Sequence, residues 1–253
     1  KDSGVKVLVG GREGQGAASA RLDGLECLRF ADAVRAVEVV MFLLPDQVIA
    51  EVYAQLMPLL KGKYIGFAHG FSYQFGGLQK FKECGYFLVG PKGAGAILRE
   101  NFKNGGGLPG VFAVATDDPE LRAICLAYAK AIGLATSVLL ETTFQEETEC
   151  DLFGEQAVLC GGILQLMEAA FNVLVKNGHS PEMAFFECCF EARMILELLM
   201  KYGPKELTER ISQTAFFGGL TRGKRLITEA TRQELQLIFD EIRSGAFPDE
   251  SLG

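Results

Sequence analysis

The chain has 253 residues, 49% of them hydrophobic and 23% charged, with a net charge of −7. That is enough apolar material for one large globular domain or two modest ones. The acidic balance and the lack of a Lys/Arg cluster argue against a nucleic-acid partner. No charge-free apolar run reaches the ~18 residues of a membrane span, so no membrane association is expected.

Short apolar runs punctuate the first half: Val5–Val9, Leu25–Leu28, Val39–Leu44, Tyr64–Ala68, Tyr86–Val89, Val111–Ala115 and Ser137–Leu140. They are continuous rather than alternating, as in strands covered on both faces. Helical patterns lie between them at Ala31–Ala36, Asp46–Leu60 and Asp117–Ile132, the last opening with Asp-Asp-Pro and closing at Gly133. Alternating strand and helix predicts an α/β, doubly wound parallel sheet of Rossmann type, with ligands at the carboxyl ends of the strands. The loops there are Gly10–Gly16, Leu44–Gln47, His69–Phe71 and Pro91–Gly95. The opening KDSGVKVLVGG begins abruptly and reads as the middle of a domain.

Gly10–Gly16 (GGREGQG) has three readings. It is a plain Gly-rich turn, or a near match to GxGxxG/A through Gly14, Gly16 and Ser19, or the second βα loop of a dinucleotide domain. In the third case Arg12 would meet a ribose 2′-phosphate. His69 and Lys92 end successive strands. Each is as ordinary as a loop residue can be, but both sit at the ligand-facing edge. His179, in NGHSPEM, reads as a turn residue.

Strand signals stop near residue 140, which divides the chain into an α/β part (1–140) and an all-α part (141–253). Helices are expected over Asp151–Lys176, interrupted at Gly161-Gly162, then from Ser180-Pro181 to about Tyr202, and over Thr228–Ser244. Ser212–Gly223 reads as less regular. FNVLV, MAFFECCF and MILELLM fill most of a helix circumference, so a large dimer interface is expected. Two acid pairs with i,i+4 spacing, Asp151/Glu155 and Glu187/Glu191, each share one helix face. An ExxxE on a helix is usually solvated. These pairs, however, are bracketed by Phe, Leu and Cys, and four acids in dry surroundings need a cation. Hard oxygen ligands favour Mg²⁺ over Zn²⁺. Glu141, Glu146, Glu147 and Glu149 read as a solvated cluster. Seven scattered cysteines without CxxC spacing argue against disulfides or zinc and for buried thiols in a reducing compartment. With no signal peptide in view, the cytoplasm or a plastid is the expected location.

At the segments ETTFQEETECDLFGEQAVLCGG and SPEMAFFECCFE the sequence resembles the ketol-acid reductoisomerases. The likeness extends to LLPDQV, FAHGF, PKGAGAILRE and ISQTAFFG and covers essentially the whole chain. It implies an NADPH-binding Rossmann-type domain, here without its first strand and GxGxxG loop, joined to a helical domain of knotted topology. It implies two Mg²⁺ ions held by Asp151, Glu155, Glu187 and Glu191, the last two from the partner subunit of a homodimer. Glu191 would assist proton movement, with His69 and Lys92 as catalytic loop residues and Ser212 and Cys160 at the substrate. Leu44, Pro45, Asp46, Gln47 and Gly70 would touch the cofactor, with Arg12 on the 2′-phosphate loop. The implied reaction is alkyl migration and reduction of 2-acetolactate or 2-aceto-2-hydroxybutyrate to a 2,3-dihydroxy acid in valine and isoleucine biosynthesis. Gln15 and Ala17 stand where serines are usual on the phosphate loop, Phe216 where an acid is usual, and Phe190 where a histidine is usual. The competing expectations are a cofactor-deficient, non-catalytic dimeric relative, and an NADP-dependent oxidoreductase of 2-hydroxy acids that does not isomerise. The second of these needs no metal pair.

Overall fold

The computed structural model describes residues 1–252 and divides into two compact units, Lys1–Cys150 and Asp151–Ser251. The first unit runs β1 (Leu8–Gly10), α1 (Gln15–Leu22), β2 (Glu26–Leu28), α2 (Phe30–Arg35), β3 (Val39–Phe42), α3 (Asp46–Leu60), β4 (Tyr64–Phe67), α4 (Phe71–Phe75), β5 (Gly85–Pro91), α5 (Gly95–Lys103), β6 (Gly110–Val114), α6 (Pro119–Ala131) and β7 (Leu139–Glu141). Each apolar run of the sequence is a strand, as its two-sided burial requires. On β5, Tyr86 and Leu88 enter one core with Tyr53, Leu56, Leu60 and Phe67, whereas Phe87 and Val89 enter another with Leu121, Cys125 and Leu134. Successive side chains of a strand point to opposite faces, so helices cover both sides of this sheet.

Two features depart from a single parallel sheet. First, the strands form two sheets, β1-β2 and β3-β4-β5-β6-β7. Second, β6 runs antiparallel to β5, while the other pairs are parallel. The connection through α5 returns to the end of the sheet it left: Lys92 N–H donates to the Pro109 carbonyl at 2.8 Å, and Pro91 pairs with Gly110. A connection that starts and finishes at one end can only deliver an antiparallel strand.

Helix α7 (Phe144–Gly154) carries the chain from the first unit into the second. It starts seven residues before the predicted Asp151, because its first turn packs as core. Phe144 stacks on Tyr73 with ring centroids 3.9 Å apart and meets Phe67 edge-on at 6.4 Å. The second unit continues with a π-helical turn (Glu155–Leu159), α8 (Gly162–Lys176), α9 (Pro181–Phe185), a second π turn (Phe186–Phe190), α10 (Glu191–Arg210), α11 (Gln213–Leu226), α12 (Glu229–Ser244) and α13 (Ala246–Leu252). Ser180 and Thr228 cap α9 and α12 through their hydroxyls, as their positions before the helices predict. Gly203, at φ 75°, with Pro204 behind it, breaks α10 just past Tyr202. The segment expected to be irregular, Ser212–Gly223, is helical, begun by Ser212 accepting the Ala215 N–H at 3.1 Å. The helical run Phe144–Lys176 is, by length and composition, long and apolar enough to cross a membrane, so the expectation that no such stretch exists does not hold. Its charges, Asp151, Glu155 and Glu168 among them, left no charge-free run for a sequence scan to register.

Candidate active site

Three parallel neighbours, β3, β4 and β5, deliver their carboxyl ends side by side. The loop after β3 holds Leu44 and Pro45, with Asp46 and Gln47 opening α3; the loop after β4 holds His69 and Gly70; the loop after β5 holds Lys92. Asp46 Oδ1 accepts the Ser72 hydroxyl at 2.8 Å, which ties the first loop to the second. Arg12 follows β1. It is 71% exposed and lies 3.9 Å from Glu51 of α3, so its guanidinium is available to an anion near the start of that helix. Pro45 precedes α3 with no side-chain cap, leaving the first-turn amides open to a phosphate or carboxylate.

The centre of this edge is a residue the sequence reading assigned to solvent. Glu147 is only 4% exposed. Its carboxylate accepts the Gly70 N–H at 2.8 Å, meets Lys92 Nζ at 3.1 Å and lies 3.1 Å from His69 Nδ1. Burial pushes the Glu147 carboxyl up, but the hydrogen bond and charge of His69, then Lys92 and the Gly70 amide, outweigh it and hold the group below the usual carboxylate range. Glu147 therefore fixes the positions of two side chains from two different strands. Gly70 must be glycine. A Cβ there would collide with the Thr148 hydroxyl and come within 2.9 Å of the Phe144 carbonyl. Glu149 is also buried and accepts the Gln145 amide at 2.8 Å; of the supposed solvated cluster, Glu141 and Glu146 alone are exposed.

Asp151 follows Glu147 by one turn on the same face of α7, and Glu155 follows by another. Both acid pairs sit where α-helix meets π-helix. Glu155 opens the first π turn, Glu187 lies within the second, and Glu191 begins α10 directly after it. π turns recur at functional sites, and nothing in composition or spacing announces them. The four acids are not dry within one chain. Asp151 is half-buried, and Glu155, Glu187 and Glu191 are exposed, as are the flanking Phe185, Phe186 and Phe190. Among the described residues, neither Glu187 nor Glu191 falls in a group of three or more candidate metal ligands. Cys160, after the first π turn, and Ser212, capping α11, are exposed on the second unit. The thiols are free, but only Cys84 and Cys125 are buried, with burial pushing Cys125 up to about 12; Cys150 and Cys160 are exposed.

Residues 1–137 match the family model of the acetohydroxy acid isomeroreductase NADPH-binding domain, and residues 144–252 match that of the ketol-acid reductoisomerase C-terminal domain. The chain belongs to the ketol-acid reductoisomerase family. It is accordingly an oxidoreductase whose α/β unit serves a nicotinamide cofactor. Among solved structures it is similar to an NADH-preferring ketol-acid reductoisomerase from an uncultured archean, at 36% identity over 99% of this chain and 78% of that one, TM-score 0.93. A semialdehyde dehydrogenase NAD-binding protein from Cupriavidus necator shares the fold at 21% identity over 90% of this chain and 86% of the other, TM-score 0.65. So does a pyrroline carboxylate reductase from Plasmodium falciparum, at 14% identity over 87% and 82%, TM-score 0.54.

Proposed function

We propose that the chain converts 2-acetohydroxy acids, 2-acetolactate and 2-aceto-2-hydroxybutyrate, to 2,3-dihydroxy acids with NADPH and two Mg²⁺ ions, as a homodimer with shared sites. The observation that carries the reading is the Glu147-centred constellation. It holds a cation, Lys92, and an imidazole, His69, at the ligand-binding edge of the sheet, with Asp151 one turn further along the same helix. The donor chemistry fits the metal, since Asp151, Glu155, Glu187 and Glu191 offer the hard carboxylate oxygens that Mg²⁺ takes. When bound, the ions would supply Lewis acidity to a carbonyl and lower the pKa of a hydroxyl.

The protein's own groups cover the remaining needs. Lys92 brings positive charge to an anionic substrate, and His69, oriented by Glu147, offers a ring nitrogen for a proton. Arg12 and the open first turn of α3 suit a phosphorylated dinucleotide. Ser212 and Cys160 offer polar contacts to the substrate, and Glu191 a carboxylate for proton movement. The dimer reading is supported by apolar side chains left in water on the second unit: Phe185, Phe186 and Phe190, with Val173 on α8 and Met200, 84% exposed, on α10. A run of this kind marks an interface more often than a free surface.

A second reading, a cofactor-deficient relative, is favoured by one observation: no strand joins β1 to β3 among the described residues. One assay separates the two. The enzyme reading expects NADPH oxidation dependent on both 2-acetolactate and Mg²⁺. An absence of turnover together with an absence of NADPH binding in a fluorescence titration would leave the non-catalytic reading standing.

A further inference from the structure

A cleft of about 500 Å³ opens between the two sheets of the first unit. Strand β1 forms one wall and β3 the other, and no acidic side chain lines it. Val5, Val7 and Leu43 stand 52%, 41% and 64% exposed at it, a high toll for β-branched and apolar groups beside an established core. The walls are not merely apolar. Each is the unpaired edge of a parallel sheet, since β1 bonds only β2 and β3 only β4 among the described strands.

The alternation of backbone groups along a strand says which amides are left over. Gly11 N–H donates to the Leu28 carbonyl, so odd-numbered residues here face β2, and Leu8 and Gly10 face the cleft. Tyr64 N–H donates to the Glu38 carbonyl, so even-numbered residues face β4, and Val39 and Met41 face the cleft. Two rows of N–H and C=O groups therefore look into an apolar slot from opposite sides. A lipid or a compact apolar ligand could satisfy the side chains but not these groups. An extended backbone satisfies both, as edge strands do when they template another chain. One parallel strand laid between β1 and β3 would also convert the order β2-β1 and β3-β4-β5 into β2-β1-x-β3-β4-β5. That is the doubly wound 3-2-1-4-5-6 arrangement, with its topological switch point beside the inserted strand.

We propose that this cleft binds an extended, β-branched apolar peptide segment of about five residues, supplied in trans, as a parallel strand between β1 and β3. The proposal does not depend on the catalytic reading. The probe is a synthetic peptide of five alternating valine and isoleucine residues flanked by lysines, titrated into the whole chain and followed by fluorescence anisotropy and by amide hydrogen exchange. The expected result is saturable binding with slowed exchange at Leu8, Gly10, Val39 and Met41 together. A control peptide with proline at alternate positions keeps the apolarity but loses the donors, and should bind about tenfold more weakly or worse. Val39→Pro removes a cleft-facing N–H while sparing the β3–β4 ladder, and should weaken the valine/isoleucine peptide about tenfold. Should that variant misfold, the proline peptide tests the same bond on the unaltered protein. The proposal is overturned by equal affinity for the two peptides, by protection at one edge alone, or by no protection at about 1 mM peptide. Protection of the same amides without peptide, rising with protein concentration, would assign the slot to a second copy of this chain and also overturn it.

Discussion

Replacing Glu147 by glutamine isolates what its charge contributes, because the side chain keeps its shape. The carboxylate faces three groups: the Gly70 amide at 2.8 Å, Lys92 Nζ at 3.1 Å and His69 Nδ1 at 3.1 Å. Glutamine retains one carbonyl oxygen for Gly70 but turns an NH₂ donor toward Lys92 or His69. Hydrogen bonds to a charged group contribute about 1.5–3 kcal/mol each. The Lys92 side chain is 38% exposed, so its share is reduced by solvent. A net loss of about 2 kcal/mol follows, equivalent to about 4–8 °C in Tm for a chain of this size. The sign of the pH dependence is fixed by the depressed carboxyl. Its stabilisation is fully present above the unfolded value, 4.5, and is lost as pH falls through the lower folded value. Thermal unfolding of E147Q and the parent protein should therefore differ most at neutral pH and converge below pH 4.5. Turnover should fall on the order of 10²-fold, since two side chains lose their common anchor. A Tm gap that persists unchanged into acid, or no gap at any pH, would refute the assignment of Glu147 as the buried anion of the site.

Four further outcomes follow from the same geometry. Asp151→Asn should abolish Mg²⁺-dependent turnover while leaving NADPH binding in a fluorescence titration intact; retained activity would mean the carboxylate holds no metal. Gly70→Ala should destabilise by about 1–3 kcal/mol, because the Thr148 hydroxyl and the Phe144 backbone leave no room for a methyl group, and calorimetry would register it. Arg12→Ala should raise KM for NADPH more than for NADH; equal effects on the two would remove Arg12 from the 2′-phosphate. Phe186→Asp together with Met200→Asp should convert a dimer to a monomer in light scattering at micromolar concentration, and a monomeric parent protein would end the shared-site reading.

The strands were legible because burial on both faces leaves a mark in composition. VVMFLL, YIGFA and YFLV cannot be surface, and each is a strand within a residue or two of its apolar run. The antiparallel β6 was not legible. VFAVA is as apolar as its parallel neighbours, and direction is decided by where the connection through α5 ends, which no residue in the strand encodes. The split into two sheets was likewise hidden, since LVG and VVMF say that they need neighbours but not how many they find.

The site shows a different limit. Asp151 and Glu155 were conspicuous through their apolar flanks, and those flanks are exposed in the single chain. Glu147 was dismissed because Glu146, Glu147 and Glu149 read as one charged run. In the helix that run is divided: Glu146 faces water, Glu147 turns toward His69 and Lys92, and Glu149 is buried on a separate direction of the same turn. The signal was present as a longer periodicity. Glu147, Asp151 and Glu155 are three acids at successive i+4 steps, a stripe rather than a pair, and a stripe that begins on Phe144's buried turn cannot be solvated throughout. What fixed the length of the stripe was where α7 starts. Had the helix been begun at the Thr143 hydroxyl, which accepts the Glu146 N–H at 3.0 Å in the manner of a cap, Glu147 would have joined the acid set from the sequence alone.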